Sequence, residues 1–162
     1  MIEKNKIVDN LITKLLEKFE AEGSNINRKP ACFEKEALEL KNKAPFLDIS
    51  SYLYFLSEMS VLILKLKDDS YVTFYGLDDW DEGLNIFDYP VPDKDGFHLV
   101  LDVCSPQGDL LYFSYNSKHA GVDELWISAS VEGSSREYTN SGLGFIAVLN
   151  LINDEKIQSV NC

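Results

Sequence analysis

The feature that most constrains the fold is a change in hydrophobic period at Val61. Before this residue, apolar side chains recur every three or four positions, which is typical of amphipathic helices. After it, apolar and polar residues alternate, which is typical of strands with one buried face. The order of the two patterns predicts an α+β protein. We expect N-terminal helices, an antiparallel meandering sheet of about five strands, and a C-terminal helix.

Three helices are predicted before the change of period. The first covers about residues 6–22 and ends at Gly23. The second begins near Pro30, a residue suited to a first turn, and stops before Pro45. The third begins at Asp48, a favourable N-cap. The first helix has an apolar stripe formed by Ile7, Val8, Leu11, Ile12, Leu15, Leu16 and Phe19.

Two hairpins and one further strand are predicted after the change of period at Val61. Asp68 and Asp69 turn the first hairpin without the usual glycine. Pro106 and Gly108 occupy the second and fourth positions of a four-residue turn over 105–108, which predicts type I. The five strands cover about residues 61–67, 71–75, 97–104, 109–115 and 124–131.

The whole chain, residues 1–162, is expected to form a single globular domain. Residues 1–60 are expected to be mainly helical. Residues 61–131 are expected to form the antiparallel sheet and to include an acidic loop over 77–96. A closing helix over 141–153 opens at Ser141, and the polar tail after it is expected to fray.

Negative charge is concentrated in one part of the chain. Residues 68–95 contain nine carboxylates and one cation, Lys94, so they carry a net charge of −8 out of −12 for the whole protein. Aromatic residues, which often anchor protein interfaces, are interleaved with these carboxylates. They are Tyr71, Tyr75, Trp80, Phe87 and Tyr89. This combination predicts a surface that holds a basic partner, although a solvated loop that aids solubility is the alternative.

The predicted partner-binding residues belong to the acidic loop. They are Asp78, Asp79, Trp80, Asp81, Glu82, Asp88, Tyr89, Asp93 and Asp95. A sequence pI near 4.5 opposes direct binding to nucleic acid or to anionic membranes, so the expected partner is a basic protein. The chain is expected in the cytosol, because it shows neither a signal peptide nor a membrane-spanning segment. The sequence leaves its oligomeric state open, and a monomer is assumed.

No metal site, cofactor or catalytic set is predicted. The acidic run after Leu77 lacks the spacing of an EF-hand, and the three cysteines are too widely separated for a zinc site or a disulfide framework. His98 and His119 lie on separate elements, and no Gly-x-Ser-x-Gly elbow accompanies them. The Gly-x-Gly at Gly142 and Gly144 is better explained as a helix start than as a phosphate cradle.

The strand pair and the closing helix resemble those of bacterial toxin-immunity proteins of the SUKH superfamily. Residues 97–102 and 108–113 resemble the paired central strands of that superfamily, and residues 144–149 resemble its closing helix. The resemblance implies tight binding to a toxin domain, often a nuclease, with no catalysis by the immunity protein. Inhibition is then expected to work by occlusion of the toxin's active site.

Three other classes remain open. A type III secretion chaperone is also small, acidic and α+β, and it would bind a segment of an effector. An enzyme and a free-standing regulatory domain are the further alternatives. A neighbouring gene for a secreted protein with a toxin domain would favour immunity, whereas a neighbouring effector gene would favour the chaperone.

Overall fold

The computed structural model describes residues 2–19, 25–28, 34–75, 91–129 and 137–160. Within these ranges it is an α+β protein, as predicted. The helices are α1 (Lys6–Phe19), α2 (Glu34–Lys43), α3 (Ser50–Glu58) and α4 (Phe145–Asn153), with 3-10 turns at Pro45–Leu47 and Ile157–Ser159. The strands are β1 (Asn25–Arg28), β2 (Met59–Lys65), β3 (Tyr71–Phe74), β4 (Phe97–Cys104), β5 (Leu110–Asn116), β6 (Leu125–Ala129) and β7 (Thr139–Leu143).

The strands form one antiparallel sheet in which each strand pairs with the next along the chain, from β1 to β7. The five predicted strands correspond to β2–β6. The prediction of about five strands was too low, because it missed β1 and β7, which lie at the two edges of the described sheet. Both edge strands are polar and lack the alternating pattern that identifies a half-buried strand.

The helices pack on one face of this sheet. Residues 51–58 of α3 are all buried, so this helix lies in the centre of the molecule. Phe55 contacts Phe74 of β3 at 4.8 Å between ring centroids, and Tyr52 contacts Tyr115 of β5 at 5.3 Å. Phe145 of α4 lies 5.0 Å from Phe55. These aromatic rings form the junction between the helices and the sheet.

The apolar stripe of α1 is confirmed with one exception. Leu11, Leu15 and Phe19 are buried, but Ile7 is 59% exposed because it lies at the outer edge of the stripe. The predicted end of α1 at Gly23 and the start of α2 at Pro30 lie outside the described residues. Asp48 is not the N-cap of α3. Ile49 takes that position, and the Asp48 carboxylate instead lies 3.6 Å from Lys41 Nζ.

The C-terminal part differs from the prediction in two ways. Ser141 does not open the last helix but belongs to β7, where its hydroxyl donates to the Leu125 carbonyl at 2.6 Å. Gly144 is the residue that precedes α4. The described part of the tail after α4, residues 154–160, is not frayed, because Ile157 is completely buried and fixes the final 3-10 turn to the core.

The first hairpin turns without glycine because aspartate supplies the required conformation. Asp69 has a positive φ of 66°, in the left-handed region that Asp and Asn tolerate better than other non-glycine residues. Asp68 Oδ1 accepts a hydrogen bond from the Ser70 backbone N–H at 2.9 Å. This local bond stabilises the turn that the sequence placed here.

Candidate partner-binding surface

The acidic segment connects the end of β3 to the start of β4. Of the nine residues predicted to bind a partner, Asp93 and Asp95 belong to the part of the chain that the structure describes. The other seven, Asp78, Asp79, Trp80, Asp81, Glu82, Asp88 and Tyr89, lie outside the described residues. The described part of the surface therefore consists of the two ends of the segment and the strands beside them.

The entering end of the segment is fixed to the sheet. The Tyr75 backbone N–H donates to the Val100 carbonyl at 2.9 Å, which continues the pairing of β3 with β4. Val100 is an extra residue in β4, at the register shift between Leu99 and Leu101. The Tyr75 hydroxyl donates a hydrogen bond to Oδ2 of Asp102, a residue that is 5% exposed on the face away from the helices.

The leaving end is fixed by Asp93. Its Oδ1 accepts hydrogen bonds from the backbone N–H groups of Asp95 and Phe97, each at 2.9 Å. The Asp93 carboxylate thus closes the turn that starts β4, as expected of an Asx turn. Gly96 has a φ of +84°, which explains a glycine there. Asp95 is exposed, so it remains available to a partner, whereas Asp93 already has a structural role.

A cluster of aromatic rings lies next to this turn. Phe97 stacks on Tyr138 with 3.6 Å between ring centroids and 6° between the planes. Trp126 contacts Phe97 at 6.1 Å, and the exposed His119 lies 5.4 Å from Trp126. The sequence analysis did not find this cluster, because its members come from β4, the β5–β6 connection, β6 and the residue before β7. Alternation in β6 was the available signal, since it placed Trp126 on the face away from the core.

Two polar groups on this face lack a hydrogen bond. The Trp126 Nε1–H and the Ser128 hydroxyl are both buried without a partner among the described residues. Trp126 and Ser128 are two positions apart in β6 and therefore point to the same side of the sheet. Buried polar groups without a partner are uncommon in folded proteins.

Two carboxylates that precede the acidic segment, in the β2–β3 turn, are partly used within the protein. Asp69 lies 3.6 Å from Lys65 Nζ, and Asp68 Oδ2 accepts a hydrogen bond from Gln158 Nε2 at 3.3 Å. The hydrogen bond from the Ser70 backbone lowers the pKa of Asp68. The charge available to a partner therefore lies mainly in the acidic segment itself, after Asp69.

Several polar side chains form buried hydrogen bonds where the sheet meets helix α3. His98 Nε2 lies 2.7 Å from the Tyr52 hydroxyl, and burial lowers the pKa of His98 to about 4. The Tyr115 hydroxyl donates to Asp123 Oδ1 at 2.8 Å, and burial followed by the Asp123 charge raises the pKa of Tyr115. His98 and Tyr115 are 4% and 1% exposed. Both side chains are enclosed in the core. The alternation of His98 with apolar residues in β4 is compatible with a packed or a surface strand position, and the structure has the packed one.

The described residues include neither a membrane-spanning helix nor a metal-binding cluster. None of their helices is long and apolar enough to cross a membrane. Within the same ranges, no group of three or more His, Cys, Asp or Glu side chains is arranged to hold a metal ion.

No protein-family model, curated protein or solved structure matches this chain.

Proposed function

We propose that the protein is a bacterial immunity protein that binds a basic toxin domain in the cytosol and blocks its active site. The observation that carries this proposal is the net charge of −8 within residues 68–95. Such a charge density attracts a cationic surface and repels nucleic acid and anionic lipid. A cognate nuclease is the favoured toxin, because a nuclease must keep its cleft positive in order to hold phosphate.

The attachment of the acidic segment supports a binding role. Its two ends are joined to adjacent strands by the hydrogen bonds of Tyr75 and Asp93. A segment whose ends are fixed loses less conformational freedom on binding than a free tail, so more of the contact energy remains as affinity. The aromatic cluster around Phe97 and Trp126 provides apolar area beside the charge, which is the composition of an interface anchor.

The proposed mechanism is occlusion by charge imitation. Asp78, Asp79, Asp81 and Glu82 would pair with the cationic groups that otherwise bind the substrate's phosphates. Trp80 would supply buried contact area beside them. The immunity protein would thus exclude the substrate physically and would perform no reaction of its own. The SUKH-like pattern of strands and closing helix favours this class over a secretion chaperone.

Co-expression with the adjacent open reading frame tests the proposal. The wild-type protein should rescue cells from that product and co-purify with its folded toxin domain. A variant with Asp78→Asn, Asp79→Asn, Asp81→Asn and Glu82→Gln should lose both effects. A second variant, Trp80→Ala, should weaken binding by about 2–4 kcal/mol, the range of an interface hot spot.

The matched control neutralises four exposed carboxylates elsewhere. Glu3→Gln, Glu17→Gln, Glu39→Gln and Asp154→Asn change the net charge equally and lie on other surfaces. This control should still rescue and co-purify. The proposal fails if the wild type gives no protection, or if the two charge variants bind the toxin domain equally well while both remain folded.

A further inference from the structure

A small cavity lies at the end of the sheet remote from the acidic segment. Its volume is about 260 Å³, slightly below the roughly 300–1,000 Å³ of typical small-molecule sites. It opens between the β2–β3 turn, the β4–β5 turn, the end of β6 and the C-terminal 3-10 turn. Its lining consists of Ser70, Val103, Ser105, Asp109, Leu110, Leu111, Ala129, Gln158 and Val160. The start and end of β4 are separated by roughly 23 Å, so this cavity is distinct from the proposed toxin surface.

The wall of the cavity contains acceptors but no cation. Gln158 Nε2 donates to Asp68, and Gln158 Oε1 is buried with no hydrogen-bond partner among the described residues. Asp68 is an ionised carboxylate that can only accept, so the amide must keep its NH₂ group on that side and its oxygen free. Asp109 is exposed at the rim, and no described side chain pairs with its carboxylate. No lysine, arginine or histidine is among the described residues that line the cavity.

The other lining residues indicate which further chemical groups a ligand of this cavity must carry. Val103, Leu110, Leu111, Ala129 and Val160 provide an apolar surface for a short alkyl chain. Ser105 Oγ accepts the Asp109 backbone N–H at 3.1 Å and keeps its O–H as a donor, so this hydroxyl is polar but adds no positive charge. A guest must therefore bring several N–H donors, a positive charge and a few methylene groups.

We propose that this cavity binds an alkylguanidinium group. A guanidinium is planar, carries five N–H donors and is more weakly hydrated than an ammonium, so one group can serve both a rim carboxylate and a half-enclosed amide oxygen. Its alkyl stem packs on the valine and leucine side chains while the head pairs with Asp109 and Gln158. The inference does not depend on the proposed immunity function, because none of the nine predicted partner-binding residues lines the cavity.

The test is an NMR titration of the full chain with N-acetyl-arginine-N-methylamide, and with the citrulline analogue as a neutral probe of the same shape. The arginine probe should give saturable shifts at the amides of Leu110, Leu111 and Ala129 and at the Gln158 side chain. The citrulline probe should bind at least roughly threefold more weakly, because it lacks the charge. Free L-arginine forms a third arm. Tighter binding of the free amino acid would identify a small-molecule guest, and tighter binding of the blocked form would identify an arginine side chain of a protein.

Two variants locate the interaction. Asp109→Asn preserves shape and should weaken the arginine probe by roughly three- to tenfold, whereas Asp154→Asn removes the same charge elsewhere and should leave binding unchanged. Gln158→Met removes the free acceptor at similar volume and should also weaken binding, with a thermal melt to verify its fold. The proposal is overturned if both probes bind equally, if the shifts lie away from the cavity, or if Asp109→Asn behaves like Asp154→Asn.

Discussion

The Asp123 side chain joins several elements of this fold. Its Oδ1 accepts the Phe145 backbone N–H at 3.0 Å and the Tyr115 hydroxyl at 2.8 Å. It thereby caps the N-terminus of α4, which Gly144 leaves without a side-chain cap, and ties that helix to β5. Its Oδ2 also accepts a weaker bond from the Ser51 hydroxyl of α3 at 3.4 Å. One carboxylate thus connects two helices with the sheet.

Replacing this carboxylate should be costly. Asp123→Ala leaves the Phe145 N–H and the Tyr115 hydroxyl without their acceptor, so we expect a loss of about 2–4 kcal/mol in the free energy of unfolding. Denaturant unfolding measures this value, and Asp154→Ala, at an exposed site, is the control. Equal stability of the two variants would show that Asp123 does not have this role.

His98 should make stability depend on pH. Its pKa is about 4 in the folded state against the ordinary 6.5, because burial opposes the charged ring. The unfolded chain therefore takes up a proton below pH 6.5 that the folded chain refuses. The contribution of neutral His98 to the free energy of unfolding is present above the unfolded pKa and is lost as the pH falls from 6.5 towards 4. Between about pH 7 and about pH 5 this loss is about 2 kcal/mol.

The His98→Gln variant isolates this contribution. The loss of unfolding free energy between those two pH values should be about 2 kcal/mol smaller in His98→Gln than in the wild type. His119→Gln, which changes an exposed turn residue, serves as the control and should keep the wild-type loss. Parallel pH profiles for all three proteins would contradict the prediction.

At the scale of the element, the end of α4 combines a turn with an electrostatic contact. The Lys156 N–H donates to the Leu151 carbonyl at 2.8 Å and the Glu155 N–H to the Ile152 carbonyl at 3.0 Å, which is a Schellman arrangement. Glu155 has a φ of +53°, where glycine is usual. Its carboxylate accepts the Lys67 N–H at 2.7 Å and lies 3.3 Å from Lys18 Nζ. Partial burial raises the pKa of Glu155, but the Lys67 hydrogen bond and Lys18 outweigh that effect and lower it overall.

These two properties can be separated by substitution. Glu155→Ala loses the contacts and keeps the strained backbone, whereas Glu155→Gly loses the same contacts and relieves the strain. The glycine variant should be about 1 kcal/mol more stable than the alanine variant in denaturant unfolding. If alanine is equal or better, the left-handed conformation at this helix end carries no cost.

At the scale of the whole molecule, charge asymmetry should govern association. A basic partner is attracted by the net charge of −12 and by its concentration in one segment. Complementary charge mainly accelerates encounter, and salt screens it over roughly 8 Å at physiological ionic strength. The association rate constant with the proposed toxin domain should therefore fall steeply with added salt, while the dissociation rate constant changes little. Stopped-flow or biosensor kinetics measure both, and a salt-independent association rate would refute this role of charge.

The local patterns determined the order of the elements. Helical spacing located α1, alternation located β2–β6, and turn residues located both hairpins, because these signals depend on residues a few positions apart. The signals failed for β1 and β7, whose polar residues become strands by pairing with a neighbour at the sheet edge. They also failed for Asp48 and Ser141, which are good caps in isolation but are used elsewhere by the fold.

The sequence by itself therefore determined the fold class, the five inner strands and the acidic segment, since periodicity and charge are properties of short stretches. Only the tertiary structure decided which distant residues meet. The aromatic cluster joins Phe97 to Tyr138, the α4 cap comes from Asp123, and the cavity joins Asp109 to Gln158. The physical reason is that these contacts follow from sheet register and helix packing, and no short-range pattern encodes either across tens of residues.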